Sequence, residues 1–491
     1  MSFQTAVLGV TGIYLAVTVV ISFAVRRSSK DAEGFTTGGK TFPAILIGLL
    51  MASEFIGTSA SMGTAQGAYE YGISAAWNLV ALGIGFVLFS FFLAHKYKSL
   101  GQNTISGVLK HGYGERVRLA TSIIMIVALG TVAVAVFAGG SAVFTSLLDV
   151  DRTTATVVTA GLAVLYVAVG GMRSVVYTNV VHALVMLTGI VLAAVLPLRR
   201  VGGLAELRAQ LPDQFFDVTG VGLGQIVAWM IAGAGATFAT QYIIQAIASV
   251  GDEKKAKWSS VYSSLMLIPY GICAAIAGMC ARVLFPEIDS LQALPELVVN
   301  MHALTAGIVI SGLVAALLGT ISAITLAIST LLLKDFYRPF LNRDEDPRKD
   351  VVFIRVATVV VGIVPMILAL YASDVLAVTF LGKALRSALA VLVLLMFYAP
   401  RFGSRNGALV SIVGALIATV GWFLAGNPFG VDNAYVAIAV PLVVMTVAEI
   451  GSRMRRGGDS VADGPRSEAS FGGGGGSVEA ERESSAPRAT S

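Results

Sequence analysis

The stretch TFPAILIGLLMASEFIGTSASMGTA (residues 41–65) holds a single ionisable side chain, Glu54, among apolar, small and hydroxyl-bearing residues. A carboxylate at the depth of a bilayer costs at least a few kcal/mol, so it usually marks an ion or substrate path. Gly48, Gly57 and Gly63 weaken the helix in the same stretch. If the chain lies in a membrane, the stretch predicts an interrupted helix that lines a polar path.

The composition indicates a membrane protein. Of the 491 residues, 56% are hydrophobic and only 13% are charged, and the mean hydropathy is +0.81, which is far too apolar for a soluble protein. Apolar stretches of about 20 residues, the length that crosses a bilayer, recur along the chain. We expect thirteen spans, at roughly 4–25, 42–68, 75–95, 119–147, 153–170, 176–198, 222–248, 259–284, 302–334, 351–371, 375–399, 406–425 and 432–450.

The basic residues predict the orientation of the chain. Loops after odd-numbered spans hold most of the lysines and arginines outside the spans. Those after even-numbered spans hold only Arg152, Arg199, Arg200, Arg208 and Arg282. By the positive-inside rule the amino terminus lies outside and the carboxyl terminus in the cytoplasm of a multi-pass cell-membrane protein. The basic pI, near 9.1, then reflects anchoring to the bilayer and gives no reason to expect nucleic acid as a partner.

Two spans share a glycine-rich, interrupted pattern. The seventh span contains VAWMIAGAGATFATQYIIQAIASV (227–250), in which Gly233 and Gly235 stand among small residues. Interrupted helices at corresponding positions of two halves point to the midplane site of a transporter. The second and seventh spans are five apart, which predicts two inverted five-helix repeats. Close packing of helices through small residues is the alternative for either span alone.

This pattern divides the chain into four parts. We expect an accessory first transmembrane helix and cytoplasmic loop at 1–40, and a transporter core at 41–400 with repeats at about 41–200 and 222–400. Two accessory transmembrane helices follow at 401–450. Residues 451–491 are rich in glycine, serine and charge, which predicts a disordered cytoplasmic tail.

Two further spans carry polar side chains. The ninth contains LVAALLGTISAITLAISTLLLKDFY (313–337), with five hydroxyls of the hard-oxygen type that suits a small cation. The eleventh contains VLAVTFLGKALRSALAVLVLL (375–395), in which Lys383 and Arg386 lie well inside the span. We expect Glu54 and Lys383 either to pair or to be bridged by a ligand, because each would be costly unpaired. Two buried cations favour a solute that carries a carboxylate or another anionic group.

Four stretches together resemble the sodium:solute symporter family, over roughly residues 5–450. GGMRSVVYTNVVHALVMLTG (170–189) resembles the signature that joins two core helices, and QYIIQ (241–245) resembles the end of the second broken helix. TISGVLKHGYGERVR (104–118) and GTISAITLAISTLLLKDFY (319–337) resemble a conserved loop and the sodium-binding helix. The resemblance implies an all-α membrane protein with a LeuT-type core of two inverted repeats.

The resemblance also implies site residues. A sodium ion would be bound by Ala52 and Phe55 of the second span and by Ala316, Gly319 and Thr320 of the ninth. This assignment aligns ASEF (52–55) with the family pattern. If FIG (55–57) is aligned instead, the alignment of the second span shifts by a residue or more. Glu54 then falls where sugar-transporting members keep a polar substrate ligand. We further expect Glu54, Gly233, Ala236, Gln241 and Lys383 to bind the substrate, and Asn179, His182 and Gln245 to act in coupling or gating.

The sequence departs from the family pattern at four positions. Gly319 replaces a hydroxyl residue, Asn179 an aspartate, His182 a glutamine and Ala246 an arginine. Since histidine titrates near neutral pH, a proton is an alternative coupling ion to sodium.

The sequence thus predicts a secondary active transporter, a cation:solute symporter that imports a small organic solute by alternating access and is not an enzyme. The alternatives are a proton-coupled symporter of the same fold and a transporter-like membrane sensor. We expect no cofactor other than the coupling ion. The expected partners are the lipid bilayer and an anionic or zwitterionic solute, and the sequence leaves the oligomeric state open.

Overall fold

A computed structural model of the chain describes residues 2–26, 42–148, 150–169, 172–344, 346–372 and 375–462. Helices make up most of these ranges, and no β-strand occurs within them. The helices are α1 (Phe3–Arg26), α2 (Ala44–Phe55), α3 (Thr58–Tyr71), α4 (Trp77–Phe92), α5 (Ala94–Leu100), α6 (Ile105–Tyr113), α7 (Glu115–Leu148), α8 (Arg152–Val169), α9 (Met172–Val201), α10 (Leu204–Gln210), α11 (Leu223–Ala239), α12 (Gln241–Ala248), α13 (Glu253–Leu284), α14 (Ala293–Val299), α15 (Ala303–Leu331), α16 (Pro347–Ala369), α17 (Val375–Tyr398), α18 (Arg405–Leu424) and α19 (Asn433–Ala462).

Every predicted span coincides with one of these helices or with a pair of them, but the number of thirteen is not confirmed. Among the described residues, ten helical segments are long and apolar enough to cross a membrane, or eleven if the bent pair α11–α12 is one span. In that count α3 and α4 form one segment, Thr58–Phe92, and α8 is not included. The all-helical membrane architecture is confirmed.

Helix α15 lies at the centre of the bundle. In its apolar segment 94% of the residues are buried, compared with 28% in α1, 33% in α18 and 22% in α19. It packs against α1, α2, α7 and α9. The low burial of α1, α18 and α19 is what peripheral helices that face lipid would show.

The second predicted span is interrupted, as the sequence predicts. Helix α2 ends at Phe55, Ile56 has a ψ of 68°, and Gly57 is extended with a ψ of 169° before α3 begins. The first turn of α3 closes on the Gly57 carbonyl, which accepts the Ala60 N–H at 3.0 Å. The backbone therefore leaves the helix for two residues, Ile56 and Gly57, directly after Phe55.

The seventh predicted span is also interrupted, but the break is not at its glycines. Gly233 and Gly235 lie inside α11, and the chain bends by 44° at Thr240, where ψ is 134°. The Thr240 hydroxyl donates back to the Ala236 carbonyl. The interruption therefore lies at Thr240, whereas the glycines serve helix packing.

The last helix continues beyond the start of the predicted tail. Helix α19 runs to Ala462, and an ion pair of 2.7 Å between Arg453 and Glu449 joins successive turns. The remainder of the tail, 463–491, lies outside the described residues, as do the loop 27–41 and the two glycines, 170 and 171, that open the signature stretch.

Candidate functional site

The interruption between α2 and α3 lies directly against α15. A Cβ added to Gly57 would be 3.1 Å from Thr320 Oγ1 and 3.1 Å from a methyl group of Val136 in α7. A side chain at position 57 would therefore require these neighbours to move by a few tenths of an ångström. The start of α3 is fixed to α7, since the Thr58 hydroxyl donates to the Val136 carbonyl at 2.7 Å.

One of the five hydroxyls between Thr320 and Thr330 of α15 differs from the other four. Ser322, Thr325 and Thr330 donate to carbonyls three or four residues earlier in the helix, at 2.7–2.9 Å, and Ser329 pairs with a hydroxyl of α16 at 3.0 Å. This is the usual state of hydroxyls in membrane helices. Thr320 Oγ1 is buried and has no hydrogen-bond partner in the described part of the chain. A buried hydroxyl without a partner costs about 1–3 kcal/mol, a cost that a bound cation would remove.

The other predicted cation ligands lie in the same two segments. Ala52 and Phe55 belong to the last turn of α2, and the Ala52 carbonyl accepts the Ile56 N–H at 3.0 Å. A carbonyl has two lone pairs, so one remains for a cation. Ala316 and Gly319 are buried in the middle of α15. No group of three or more His, Cys, Asp or Glu is arranged to hold a metal within the described ranges, so neutral oxygens are the available donors here.

Gly319 allows α9, α2 and α15 to meet. A Cβ on Gly319 would be 2.8 Å from Asn179 Oδ1 and 3.5 Å from the Ser53 carbonyl. The same Asn179 oxygen accepts the Ser53 hydroxyl. A side chain at position 319 would displace Asn179, so the two departures from the family pattern are structurally linked.

His182 is bonded to the accessory helix α1. Its Nδ1 lies 2.6 Å from the Tyr14 hydroxyl, and the two rings meet edge to face with centroids 5.9 Å apart. Both side chains are buried. This arrangement is typical of a histidine that packs helices together.

Glu54 has no hydrogen bond at one carboxylate oxygen. The side chain is 2% exposed, and its Oε2 lacks a partner among the residues that the structure describes. Its neighbour Phe55 contacts the ring of Tyr242 at a centroid distance of 5.2 Å, and both Glu54 and Arg386 are close enough to Tyr242 to interact with it electrostatically. A buried charge without compensation is costly, so Glu54 requires a cation, a proton or a polar ligand.

Lys383 is bonded to an amide and not to Glu54. Its Nζ donates to Asn78 Oδ1 of α4 at 2.7 Å and lies 4.4 Å from the centre of the Phe380 ring. Asn78 in turn donates to the Thr64 hydroxyl of α3 at 2.9 Å. The direct Glu54–Lys383 pair is not formed, which leaves the ligand-bridged arrangement as the prediction.

Arg386 joins the two interruptions. Its Nη1 donates to the hydroxyl of Thr240, the break residue, at 2.9 Å, and lies 3.4 Å from the Tyr242 hydroxyl. Its guanidinium carbon lies 5.8 Å from the ring centre of Phe55, at the end of α2. The side chain is 1% exposed, and no carboxylate of the described residues lies within ion-pair distance of it.

The small residues of α11 pack against neighbouring helices. A Cβ on Gly233 would be 2.9 Å from the Ala81 backbone in α4, and one on Gly235 would be 2.4 Å from the Cα of Ser387 in α17. Ala236 is fully buried. The backbones of α4, α11 and α17 are thus in close contact.

The two glutamines of α12 hold neighbouring segments. Gln241 accepts the Ile105 N–H at 2.9 Å and donates to the Asn103 carbonyl at 3.1 Å, so its amide is engaged at the loop before α6. Gln245 donates to the Thr330 hydroxyl of α15 at 2.9 Å. Gln245 therefore connects the second broken helix to the helix that carries Thr320.

Sequence reasoning missed Thr240, Tyr242 and Asn78. Thr240 and Tyr242 flank Gln241 in the stretch that was already singled out, so the signal was close to them. Asn78 carries a weaker signal, since it is a single amide near the start of the third predicted span.

Comparison with known proteins identifies the family. Residues 35–414 match the Sodium:solute symporter family. The chain belongs to this family. Its members and relatives are transporters and not enzymes.

Two relatives and one solved structure illustrate the similarity. The chain is 23% identical to the high-affinity proline transporter PutP of Bacillus subtilis (strain 168), over 82% of this chain and 89% of that protein. It is 24% identical to the human sodium/iodide cotransporter, over 72% and 59%. The structure described as a substrate-bound outward-open state of a Na⁺-coupled sialic acid symporter has a TM-score of 0.79 and 19% identity, with 91% of this chain and 98% of that chain covered. The LeuT-type fold is thereby confirmed.

Proposed function

We propose that this sodium:solute symporter couples one Na⁺, bound at the interruption between α2 and α3, to the import of a small solute that carries a carboxylate. The observation that supports it most directly is the buried, unpartnered hydroxyl of Thr320 beside Gly57. Import by alternating access is the general mechanism that the fold supports.

The proposed cation ligands are the Thr320 hydroxyl and the carbonyls of Ala52, Phe55, Ala316 and Gly319. Sodium takes hard oxygen ligands such as hydroxyls and backbone carbonyls, and Ala52 and Phe55 lie in the last turn of the interrupted helix α2. The ion would bridge α2 and α15. Bound sodium would therefore stabilise the conformation in which α2 and α15 are in contact. If the solute binds the same conformation, sodium raises the affinity for the solute, and the solute raises the affinity for sodium by the same factor.

The proposed solute site lies between the two interruptions, at Arg386, Tyr242 and Phe55. A buried guanidinium that lacks a carboxylate partner is costly, and a carboxylate on the solute would pair with it through two parallel hydrogen bonds. Glu54 supplies the opposite charge near the same tyrosine. This pair of charges favours a zwitterion, such as an amino acid, over a neutral sugar.

The names of the relatives are consistent with this solute class. Proline and sialic acid each carry a carboxylate, and iodide is an anion.

Lys383, which donates to Asn78, would contribute positive potential at the same site. Gly233, Ala236 and Gln241 would act indirectly, through helix packing and the loop before α6. Asn179, His182 and Gln245 would transmit the state of the cation site to neighbouring helices.

The proposed orientation in the cell membrane follows from the basic loops: the amino terminus lies outside and the carboxyl terminus lies in the cytoplasm.

Proton coupling is the second candidate for the coupling ion, favoured by His182 in place of a glutamine. The hydrogen bond of His182 to Tyr14 supports a packing role instead.

Uptake into proteoliposomes tests the proposal. Purified protein is assayed with labelled proline, lactate, sialic acid, iodide and glucose, each driven by a sodium gradient or, in sodium-free buffer, by a pH gradient. We expect sodium-driven accumulation of a carboxylate-bearing solute and none of glucose. Accumulation driven by the pH gradient alone would identify the proton-coupled alternative, and binding without accumulation would favour a sensor.

A pair of variants tests the solute site. Arg386→Gln should abolish uptake of the carboxylate-bearing solute, and Arg386→Lys should restore little of it, because an ammonium lacks the planar fork. Equal uptake by the wild type and Arg386→Gln would contradict the assignment of Arg386.

A further inference from the structure

A cavity of about 400 Å³ opens near the start of α6, on the face that we assign to the cytoplasm. Its walls come from the loop before α6, the start of α7 and the turn Leu332–Tyr337 that follows α15. Five cationic side chains line it: Lys110, Arg118, Lys334, Arg338 and Arg343. We propose that this cavity binds a phosphate-bearing anion, at a site separate from the transport path.

The acidic residue in the cavity wall is neutralised from behind. Asp335 is 2% exposed, and its Oδ2 accepts the hydroxyls of Ser106, at 2.5 Å, and Ser122. Its Oδ1 lies 3.2 Å from Arg118 Nε. Its charge is therefore compensated inside the protein and would repel an anion in the cavity only weakly.

Part of the positive charge around the cavity is paired with carboxylates. Glu115 pairs with Lys110 at 2.7 Å and with Arg118 at 2.8 Å, and Asp350 pairs with Arg338 at 2.6 Å. The cavity wall itself holds five cationic side chains and one buried carboxylate, Asp335. This lining favours a ligand with several negatively charged oxygens, such as a phosphate monoester or diphosphate.

Two cations are well positioned to contact a ligand. Arg343 is exposed and lines the cavity, and among the described residues its Nε donates to the Pro339 carbonyl, at 3.3 Å. Lys110 is about half exposed. Arginine forks and lysine ammonium groups are the usual ligands of phosphate oxygens.

Neutral groups add to the site. Helix α6 begins at the cavity, and its positive end favours an anion. Two of its first N–H groups are already used, by Gln241 and by the side chain of Thr104, so the helix contributes its field more than hydrogen bonds. Lys334 Nζ donates to Asn103 Oδ1 at 2.6 Å, which fixes its ammonium at the cavity wall.

The position of the cavity gives the ligand a mechanical effect. Lys110 lies on α6, whereas Arg343 lies beyond the turn that extends α15, the helix that carries Thr320. A polyvalent anion that contacts both residues would link these two segments and stabilise the protein against unfolding. Two sources of this chemistry are available at a cytoplasmic membrane surface: a soluble phosphate compound and the headgroup of an anionic phospholipid.

The test uses the full chain and the double variant Lys110→Gln/Arg343→Gln, which spares the Arg118–Asp335 and Arg338–Asp350 pairs. The matched control is Lys254→Gln/Lys257→Gln, which removes two exposed lysines at the start of α13, outside the cavity. In one arm, thermal unfolding is followed in neutral detergent against pyrophosphate at constant ionic strength. In the other, it is followed in nanodiscs of phosphatidylcholine with or without phosphatidylglycerol.

We expect the wild type and the control to be stabilised in at least one arm, and the cavity variant to require about tenfold more ligand, because two charged contacts to the ligand are lost. Stabilisation by pyrophosphate alone identifies a soluble ligand, and stabilisation by phosphatidylglycerol alone identifies a lipid. No stabilisation of the wild type in either arm, or equal weakening in the cavity variant and the control, would overturn the proposal.

Discussion

Replacing Thr320 by valine separates a cation ligand from a packing residue. Valine keeps the branched shape of threonine and removes only the hydroxyl, which is buried and has no hydrogen-bond partner among the described residues. Without sodium, this change removes an unsatisfied group, so the variant should be more stable than the wild type by up to about 1–3 kcal/mol.

The variant should gain less stability from sodium than the wild type. A hydrogen-bond-like contact to a charged group is worth about 1.5–3 kcal/mol, so loss of this ligand should raise the sodium concentration for half-maximal uptake about tenfold or more. At a sodium concentration of about 100 times the wild-type Kd, sodium stabilises the native state by about 2.7 kcal/mol. A tenfold weaker site would give about 1.4 kcal/mol under the same conditions.

The assay is thermal unfolding in detergent with sodium or choline chloride, together with sodium-dependent uptake in proteoliposomes. Thr325→Val is the matched control, because it removes a hydroxyl that already bonds to the Ile321 carbonyl at 2.7 Å. The control should keep the wild-type sodium dependence. If Thr320→Val and Thr325→Val show the same half-maximal sodium concentration as the wild type, Thr320 is not a ligand.

Three further predictions concern other parts of the site. Lys383→Met and Glu54→Gln should each reduce the affinity for a zwitterionic solute. The double variant should not recover this affinity, because the two side chains form no direct ion pair. Partial rescue in the double variant would show that Lys383 and Glu54 do pair. His182→Gln should lower stability by about 1 kcal/mol through loss of the tyrosine contact while uptake stays sodium-driven, and loss of pH-gradient-driven uptake in this variant would contradict the packing role. Gly235→Ala should destabilise the protein by about 1–3 kcal/mol, since the new Cβ would lie 2.4 Å from a backbone atom of α17, whereas Gly130→Ala, with nothing within 4 Å, should be neutral; equal thermal midpoints would refute the contact.

Much of the fold is predictable because each membrane span is an apolar stretch of about 20 residues, which can be recognised from the sequence alone. The interruption after Phe55 was also predictable, since glycine, hydroxyls and a carboxylate all fall within one span. The second break lies in the span in which it was predicted, at Thr240, whereas Gly233 and Gly235 lie inside α11. Gly233 and Gly235 have the same local signal as a break, and only the neighbouring helices show that they serve close packing.

The structure distinguishes among the predicted site residues. The five hydroxyls between Thr320 and Thr330 cannot be ranked from the sequence, but hydrogen bonding distinguishes Thr320 from the other four. The partner of Lys383 was not predictable, because Asn78 lies 305 residues away and an amide has no long-range sequence signal. Arg386 was recognised as a deeply placed charge, yet its contact with Thr240 depends on how α11 and α17 pack.

The close backbone contact between α11 and α17 at Gly235 predicts that the two helices move as one rigid body. Where one backbone touches the other at Gly235, neither helix can rotate or slide without first separating from its neighbour. We therefore expect Arg386 and Thr240 to keep their contact during transport. The guanidinium would then move together with the second broken helix, α11–α12. Spin labels at the outer ends of α11 and α17 should therefore report the same distance with and without sodium and solute.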